Sequence, residues 1–260
     1  MNAAGLSDLA KLLDFGGKCF EHQNLNVLKM RGAKKVLFPM LVAAHTYTEG
    51  VYALCRENRS HPCFSLLRSL CDNLINAKFL YCSPRKHCHL IFLHGLIEKR
   101  KQLNHALEYL KHHPQRLLEI KASINDVNKS LNKVRTQESK LNAKFAKYNG
   151  KLFDKSLERA KYVDEHNKSK NPKSNSLEWI YILLFRTLSS STHVNFLDFH
   201  NYFKQEENEI VVFLSGNPDD IGDVLALADY LYKEVLNILL RVFKSPLKKQ
   251  FDEIYKIQCK

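Results

Sequence analysis

The 260-residue chain is 45% hydrophobic and 26% charged, the range of an ordinary globular protein with enough apolar material for one large core. Its longest apolar runs, Val36 to Ala44 and Trp179 to Phe185, fall far short of the roughly 20 residues a bilayer requires. Met1 to Asp14 lacks the basic region, apolar stretch and small-residue cleavage site of a secretory leader, so a cytoplasmic protein with no membrane contact is expected.

The formal charge of +13 is concentrated in one segment. Pro84 to Lys173 holds 21 Lys or Arg against 9 Asp or Glu, while the rest of the chain is nearly balanced. Such a field attracts nucleic acid or another polyanion, although a solvated Lys-rich helix face has the same composition. The seven cysteines are odd in number and include no Cys-x-x-Cys pair, which reads as small core residues kept reduced. Cys82, His87, Cys88 and His89 crowd together, but adjacent side chains at a helix start point apart and no second ligand pair has zinc-like spacing. No metal and no cofactor is expected.

Taken in order, the chain reads as helix after helix. Ser7 is placed to cap a first helix through about Gln23, with Leu9, Leu12, Leu13 and Phe20 inward and Gly16-Gly17 as a weak point. A second helix, about Asn26 to Asn58, keeps helical spacing from Val36 to Leu54, with a kink or break expected at Pro39. Ser60 and Pro62 supply a cap and a first-turn proline for a third helix reaching about Tyr81. On it Arg68 and Asp72 stand four apart, the spacing of a bidentate ion pair at least half inside the protein.

A fourth helix from Pro84 to about His112 and a fifth from Pro114 to about Lys147 alternate apolar spacings of three and four. The seams run through Leu93, Leu96, Arg100, Leu103, Leu107 and Leu110, and through Leu117, Ile120, Ile124, Val127, Leu131, Val134, Glu138, Leu141 and Phe145. Joined by His112-His113-Pro114, they predict an antiparallel coiled-coil-like hairpin with basic outer faces. The pattern thins from Asn149, and residues 167–176 read as an exposed loop.

Ser176 then caps the helix that would organise the protein, Leu177 to Phe199. Trp179, Ile182, Arg186, Ser189, Ser190 and His193 fall close to one stripe, so a guanidinium and an imidazole stand two turns apart on an otherwise apolar face. Groups of that polarity need partners or a cleft. Asn201 to Ser215 reads as extended or at most a small hairpin, Val224 to Phe243 as a central helix apolar on most sides, and Pro246 as the start of a last amphipathic helix. There is no Gly-rich phosphate loop, nucleophile elbow or His-Glu-x-x-His.

Two segments carry a family likeness. "LLRSLCDNLINAKFL" from Leu66 and "LSSSTHVN" from Leu188 resemble the signature patches, Arg-Ser-x-x-Glu and Leu-Ser-x-x-x-His, of a bacterial all-helical family known only as a domain of unknown function. Asp72 stands where that family usually has Glu, and the basic hairpin looks like an insertion. The resemblance implies a helical fold and a pair of sites, with no established reaction. Separately, Arg186, six intervening residues and His193 is similar to the Arg-x(4–6)-His pattern of HEPN ribonucleases, a pattern that Arg56 to His61 and Arg100 to His105 also satisfy. That resemblance implies a metal-independent endoribonuclease of defence or toxin systems, with His193 as general acid or base and Arg186 on the phosphate.

Together these readings predict an all-α helical bundle formed by residues 1–83 and 174–260, with a basic helical hairpin and linker, 84–173, inserted. The interior is expected to join Arg68, Asp72, Arg186, Ser189 and His193 in one site, Asp72 orienting or charging the imidazole. Two functions fit: a ribonuclease effector, or a non-catalytic scaffold that binds nucleic acid, a companion protein or a second copy through the hairpin.

Overall fold

The computed structural model describes residues 3–21, 30–113, 124–145, 155–168, 176–182, 203–206, 209–212 and 218–255. The chain falls into two compact units, Met1–Pro84 with Lys155–Lys260, and Arg85–Asp154. The first unit contains α1 (Ala3–Glu21), α2 (Ala33–Arg56), α3 (His61–Cys82), α6 (Ser156–Lys168), α7 (177–182), α8 (Ile221–Val242) and α9 (Leu247–Tyr255). The second contains α5 (Ile124–Phe145) and all but the first residue of α4 (Pro84–His112). The described residues are thus mostly α-helical, as the periodicities predict.

In the bundle, α2, α3 and α8 pack on one another, α1 lies on α2 and α8, α6 on α3, and α9 on α8. Their sequences explain the arrangement. Surrounded by several neighbours, α8 buries Val224, Leu225, Ala228, Leu231, Tyr232, Val235, Leu236 and Leu239, too wide a set for one amphipathic stripe. Leu67, Leu70, Leu74, Ile75, Phe79 and Leu80 do the same for α3. The bundle therefore assembles from chain on both sides of the arm.

Polar contacts tie these helices at chosen points. Tyr232, fully buried, has its hydroxyl 2.5 Å from Nδ1 of His45, and Nε2 of His45 lies 3.5 Å from Glu49. Burial lowers the pKa of His45, with Glu49 opposing, and burial raises that of Tyr232 well above its usual value. Lys78 on α3 pairs with Glu234 on α8 at 2.6 Å.

Several local expectations change. The first helix begins at Ala3, so Ser7 lies within it rather than capping it. Gly16-Gly17 does not weaken α1: a Cβ on Gly16 would stand 2.0 Å from the Tyr232 hydroxyl, so glycine is what lets α1 close on α8. The second helix runs through Pro39 without a break, because in its second turn the missing N–H removes only one bond, to the carbonyl of residue 35. Ser60 makes no side-chain cap bond, while Pro62 does occupy the first turn of α3.

The helix α6 belongs to the bundle unit although its sequence looks like part of a linker. Its pattern is thin because its inward positions are small or polar: Ala160 and Val163 are buried together with Arg159 and Asp164. Arg159 donates to Oδ1 of Asn76 at 2.5 Å and lies over the Phe79 ring at 6.0 Å. Residues 203–206 and 209–212 form the small hairpin, antiparallel with Phe203 opposite Val212 and Glu206 opposite Glu209.

In the arm, α4 has the predicted bounds, while Pro114 and the first turns expected for the fifth helix fall outside the described residues. Along α5, Leu131 and Val134 are buried and Ile124, Val127, Glu138 and Leu141 half-buried, and every other side chain described is exposed. That is a single seam with the predicted alternation of three and four. Leu93, Leu107 and Leu110 are buried on α4, and Arg100 reaches Glu138 at 3.3 Å. The one cation in one seam therefore meets the one anion in the other, a pairing that favours this register of the antiparallel helices.

Candidate functional site

The polar centre expected in the bundle is described on its α3 side only. Arg68 and Asp72 are both half-buried, and Leu67, Leu70, Leu74 and Ile75 around them are sealed in the core. The ion pair that their spacing suggests does not form: among the described residues no salt bridge joins Arg68 to Asp72. Oδ1 of Asp72 is instead buried with no hydrogen-bond partner among the described residues. Ser69 donates to the carbonyl of Ser65, one turn back on its own helix.

The electrostatic neighbour of this stretch of α3 is Tyr181 of α7, a residue the sequence did not single out. Its phenol pKa is raised, first by burial and then by the Asp72 carboxylate, with Arg68 opposing and Cys71 adding to the rise. These four residues share one electrostatic neighbourhood. A buried carboxylate oxygen with no donor among the described residues is costly, of order 1–3 kcal/mol, and a ligand that donates a hydrogen bond to it relieves that cost.

α7 is oriented from its N-terminus. Asp164 of α6, almost fully buried, accepts from the Leu177 and Glu178 amides at 2.9 and 2.8 Å and from the Ser176 hydroxyl at 2.9 Å. The Ser176 hydroxyl itself caps the Trp179 amide at 3.1 Å, as the sequence predicts. A carboxylate at that end also complements the helix dipole. The phase differs from expectation. Leu177 is buried and Tyr181 half-buried, whereas Trp179, placed on the inward stripe by the sequence reading, is 59% exposed. A run of seven apolar residues offers several faces of similar hydropathy, so composition alone could not choose between them.

Arg186, Ser189 and His193 lie outside the described residues, so the joining of the two signature patches is not visible. Among the described residues no three of His, Cys, Asp and Glu come together as metal ligands. Nor is any described helix long and apolar enough to cross a membrane.

The arm presents a second candidate surface. On α4 three cations are engaged, Lys101 with Glu98 and Lys111 with Glu108, each at 2.8 Å, and Arg100 across the seam, while Arg85 and Lys99 are exposed with no ion pair among the described residues. On α5, Lys129, Lys133, Arg135 and Lys140 are exposed, and no ion pair engages them among the described residues. Before and between them stand exposed Asn125, Asn128, Asn132, Gln137 and Ser139, and Asp126 is the only exposed acid among the described side chains of α5. Lysines at 129 and 133 are one turn apart and repel each other, so this face carries a concentrated positive charge.

Neither a curated protein nor a solved structure matches the chain. A family model does, over residues 34–210, a span that runs from the start of α2 through the arm to the β-hairpin and so includes both surfaces. With more than half of its length matched, the chain belongs to DUF5677, a family of unknown function.

Proposed function

We propose that this protein binds nucleic acid through the outer face of α5. The observation that carries the reading is the set of exposed cations at 129, 133, 135 and 140, engaged by no ion pair among the described residues and interleaved with amide and hydroxyl side chains on a helix whose described side chains are covered along one seam. Lys and Arg with Asn, Gln and Ser are the groups that hold phosphate and sugar, which gives affinity and register with little sequence preference. Residues 84–173 supply the long-range field, and the bundle acts as the scaffold.

The test is fluorescence anisotropy with labelled single-stranded RNA, duplex RNA and duplex DNA at several salt concentrations. A Lys129→Glu/Lys133→Glu/Lys140→Glu chain with an unchanged far-UV CD spectrum should bind at least tenfold more weakly. Its log affinity against log salt should flatten by about 2 to 3. Equal binding by the triple variant, or no salt dependence in the parent, overturns the reading.

A second reading, a metal-independent endoribonuclease acting as a defence or toxin effector, is favoured by the buried Oδ1 of Asp72, which has no partner among the described residues, in the electrostatic neighbourhood of Arg68 and Tyr181. Buried polar groups that packing leaves unpaired concentrate where chemistry is done. In this reading His193 moves the proton of a ribose 2′-hydroxyl, Arg186 and Arg68 hold phosphate charge, and Asp72 and Ser189 position the imidazole. Cleavage of an RNA panel in the presence of EDTA, lost in His193→Ala, is the expected result. A His193→Ala chain as active as its parent rules the mechanism out.

A further inference from the structure

We infer that Cys55 and Cys63 form a reversible intrachain disulfide, a modification site that fastens the end of α2 to the start of α3. Their Sγ atoms lie 3.8 Å apart, in van der Waals contact, across the turn that joins the two helices. Among the described residues no other two thiols touch. Cys19, Cys71 and Cys88 are buried singly, and Cys82 is half-buried.

The surroundings give the two thiols different roles. Two carbonyl oxygens face the Cys63 sulfur, that of Arg59 at 3.1 Å and that of Val51 at 3.9 Å, and both favour its protonated form, whereas among the described residues no carbonyl is paired with the Cys55 sulfur. Cys55 is thus the sulfur that carries negative charge more readily, and thiolate is the attacking species. Both side chains have no exposed surface, so the pair is shielded from large reagents. The turn between them is short and lies at the surface: Glu57, Asn58 and Arg59 are exposed, Asn58 adopts φ 57°, and the Arg59 carbonyl lies against Cys63. Lifting that single turn admits a small oxidant while the rest of both helices stays packed.

With a peroxide as oxidant the chemistry balances. The Cys55 thiolate attacks one peroxide oxygen, the O–O bond breaks, hydroxide leaves, and Cys55 becomes a sulfenic acid. The Cys63 sulfur, losing its proton, then attacks the Cys55 sulfur; the S–O bond breaks and the oxygen departs as water. Two thiols and one peroxide give one disulfide and two waters. A small thiol such as glutathione reverses the bond by exchange. The link would fix the first turn of α3 relative to α2, five residues before Arg68 on the same helix.

The experiment uses the full chain, reduced, treated with hydrogen peroxide, alkylated and digested with trypsin. Cleavage after Lys35, Arg56, Arg59 and Arg68 puts Cys55 on peptide 36–56 and Cys63 on peptide 60–68. The expected product is the two peptides joined, lighter by two hydrogens than their sum, and separated again after glutathione. In Cys63→Ala, peroxide should leave a sulfenic acid at Cys55 that dimedone traps, whereas Cys55→Ala should give no adduct at Cys63. If either variant does not fold, the wild-type peptide map decides alone. Recovery of both cysteines alkylated on separate peptides after peroxide, or a bridge from either one to a different cysteine, overturns the proposal.

Discussion

The bundle and the arm are both helical, but they are held in opposite ways. Each inner helix of the bundle is buried on several sides, so its stability is spread over many side chains and a few exact fits, Gly16 against Tyr232 foremost. The arm's α5 has one seam of six inward positions, one of them Glu138, and leaves the rest of its described surface in water. Spreading burial makes a unit that resists change. Confining it to a stripe leaves three faces of a helix available for something else.

That contrast predicts unequal responses to equivalent cuts. Leu74→Ala, at a fully buried position of α3, should cost about 2–5 kcal/mol, read as a lower urea midpoint of the fluorescence of Trp179, the sole tryptophan, which lies in the bundle. Leu131→Ala removes the same atoms from the arm. It should lower the midpoint of part of the far-UV CD signal while leaving the tryptophan transition in place. A single transition moving with both probes would show the two units to be one cooperative body.

Gly16→Ala sharpens the comparison within the bundle. The added methyl must displace the Tyr232 ring or part α1 from α8, at a cost of about 1–3 kcal/mol in the same assay. Gly95, on α4 of the arm, has open space at its Cβ, so Gly95→Ala should raise helicity slightly instead.

The smallest effect is one of pH. Burial lowers the folded-state pKa of His45, so the unfolded chain takes up that proton more readily. Its contribution to stability is complete above the ordinary histidine value of about 6.5 and is lost as the pH falls through that value toward the lower folded one. Urea midpoints of the bundle should therefore drop between pH 7.5 and 5, with a shallower drop in His45→Gln. An unchanged slope would remove His45 as the responsible group.

How far the sequence could be read follows from the same contrast. The arm is governed by local periodicity, and the bounds of α4 and the seams of both helices were legible from the spacing of Leu, Ile and Val; even the Arg100–Glu138 pair was implicit in one opposite charge on each seam. The bundle depends on partners far apart in sequence. Nothing near Gly16 announces Tyr232, and nothing near Ser176 announces that Asp164 will hold the next helix by its amides. In the candidate site, the four-residue spacing of Arg68 and Asp72 permitted a contact without compelling it, and Tyr181 was hidden in an apolar run whose inward face only tertiary packing selects. Arg186, Ser189 and His193 were legible as a polar stripe, and their placement falls outside the described residues.

Because α8 follows the arm in the chain, the order of synthesis matters. A ribosome that has released α1, α2 and α3 must still make the whole of residues 85–220 before the helix they enclose can emerge. At typical translation speeds that delay is on the order of ten seconds. Throughout it the greasy sides of three nascent helices have no lasting cover, so a chaperone that shields apolar segments during translation should raise the yield of folded protein, and freeing the arm's codons of slow ones should do the same.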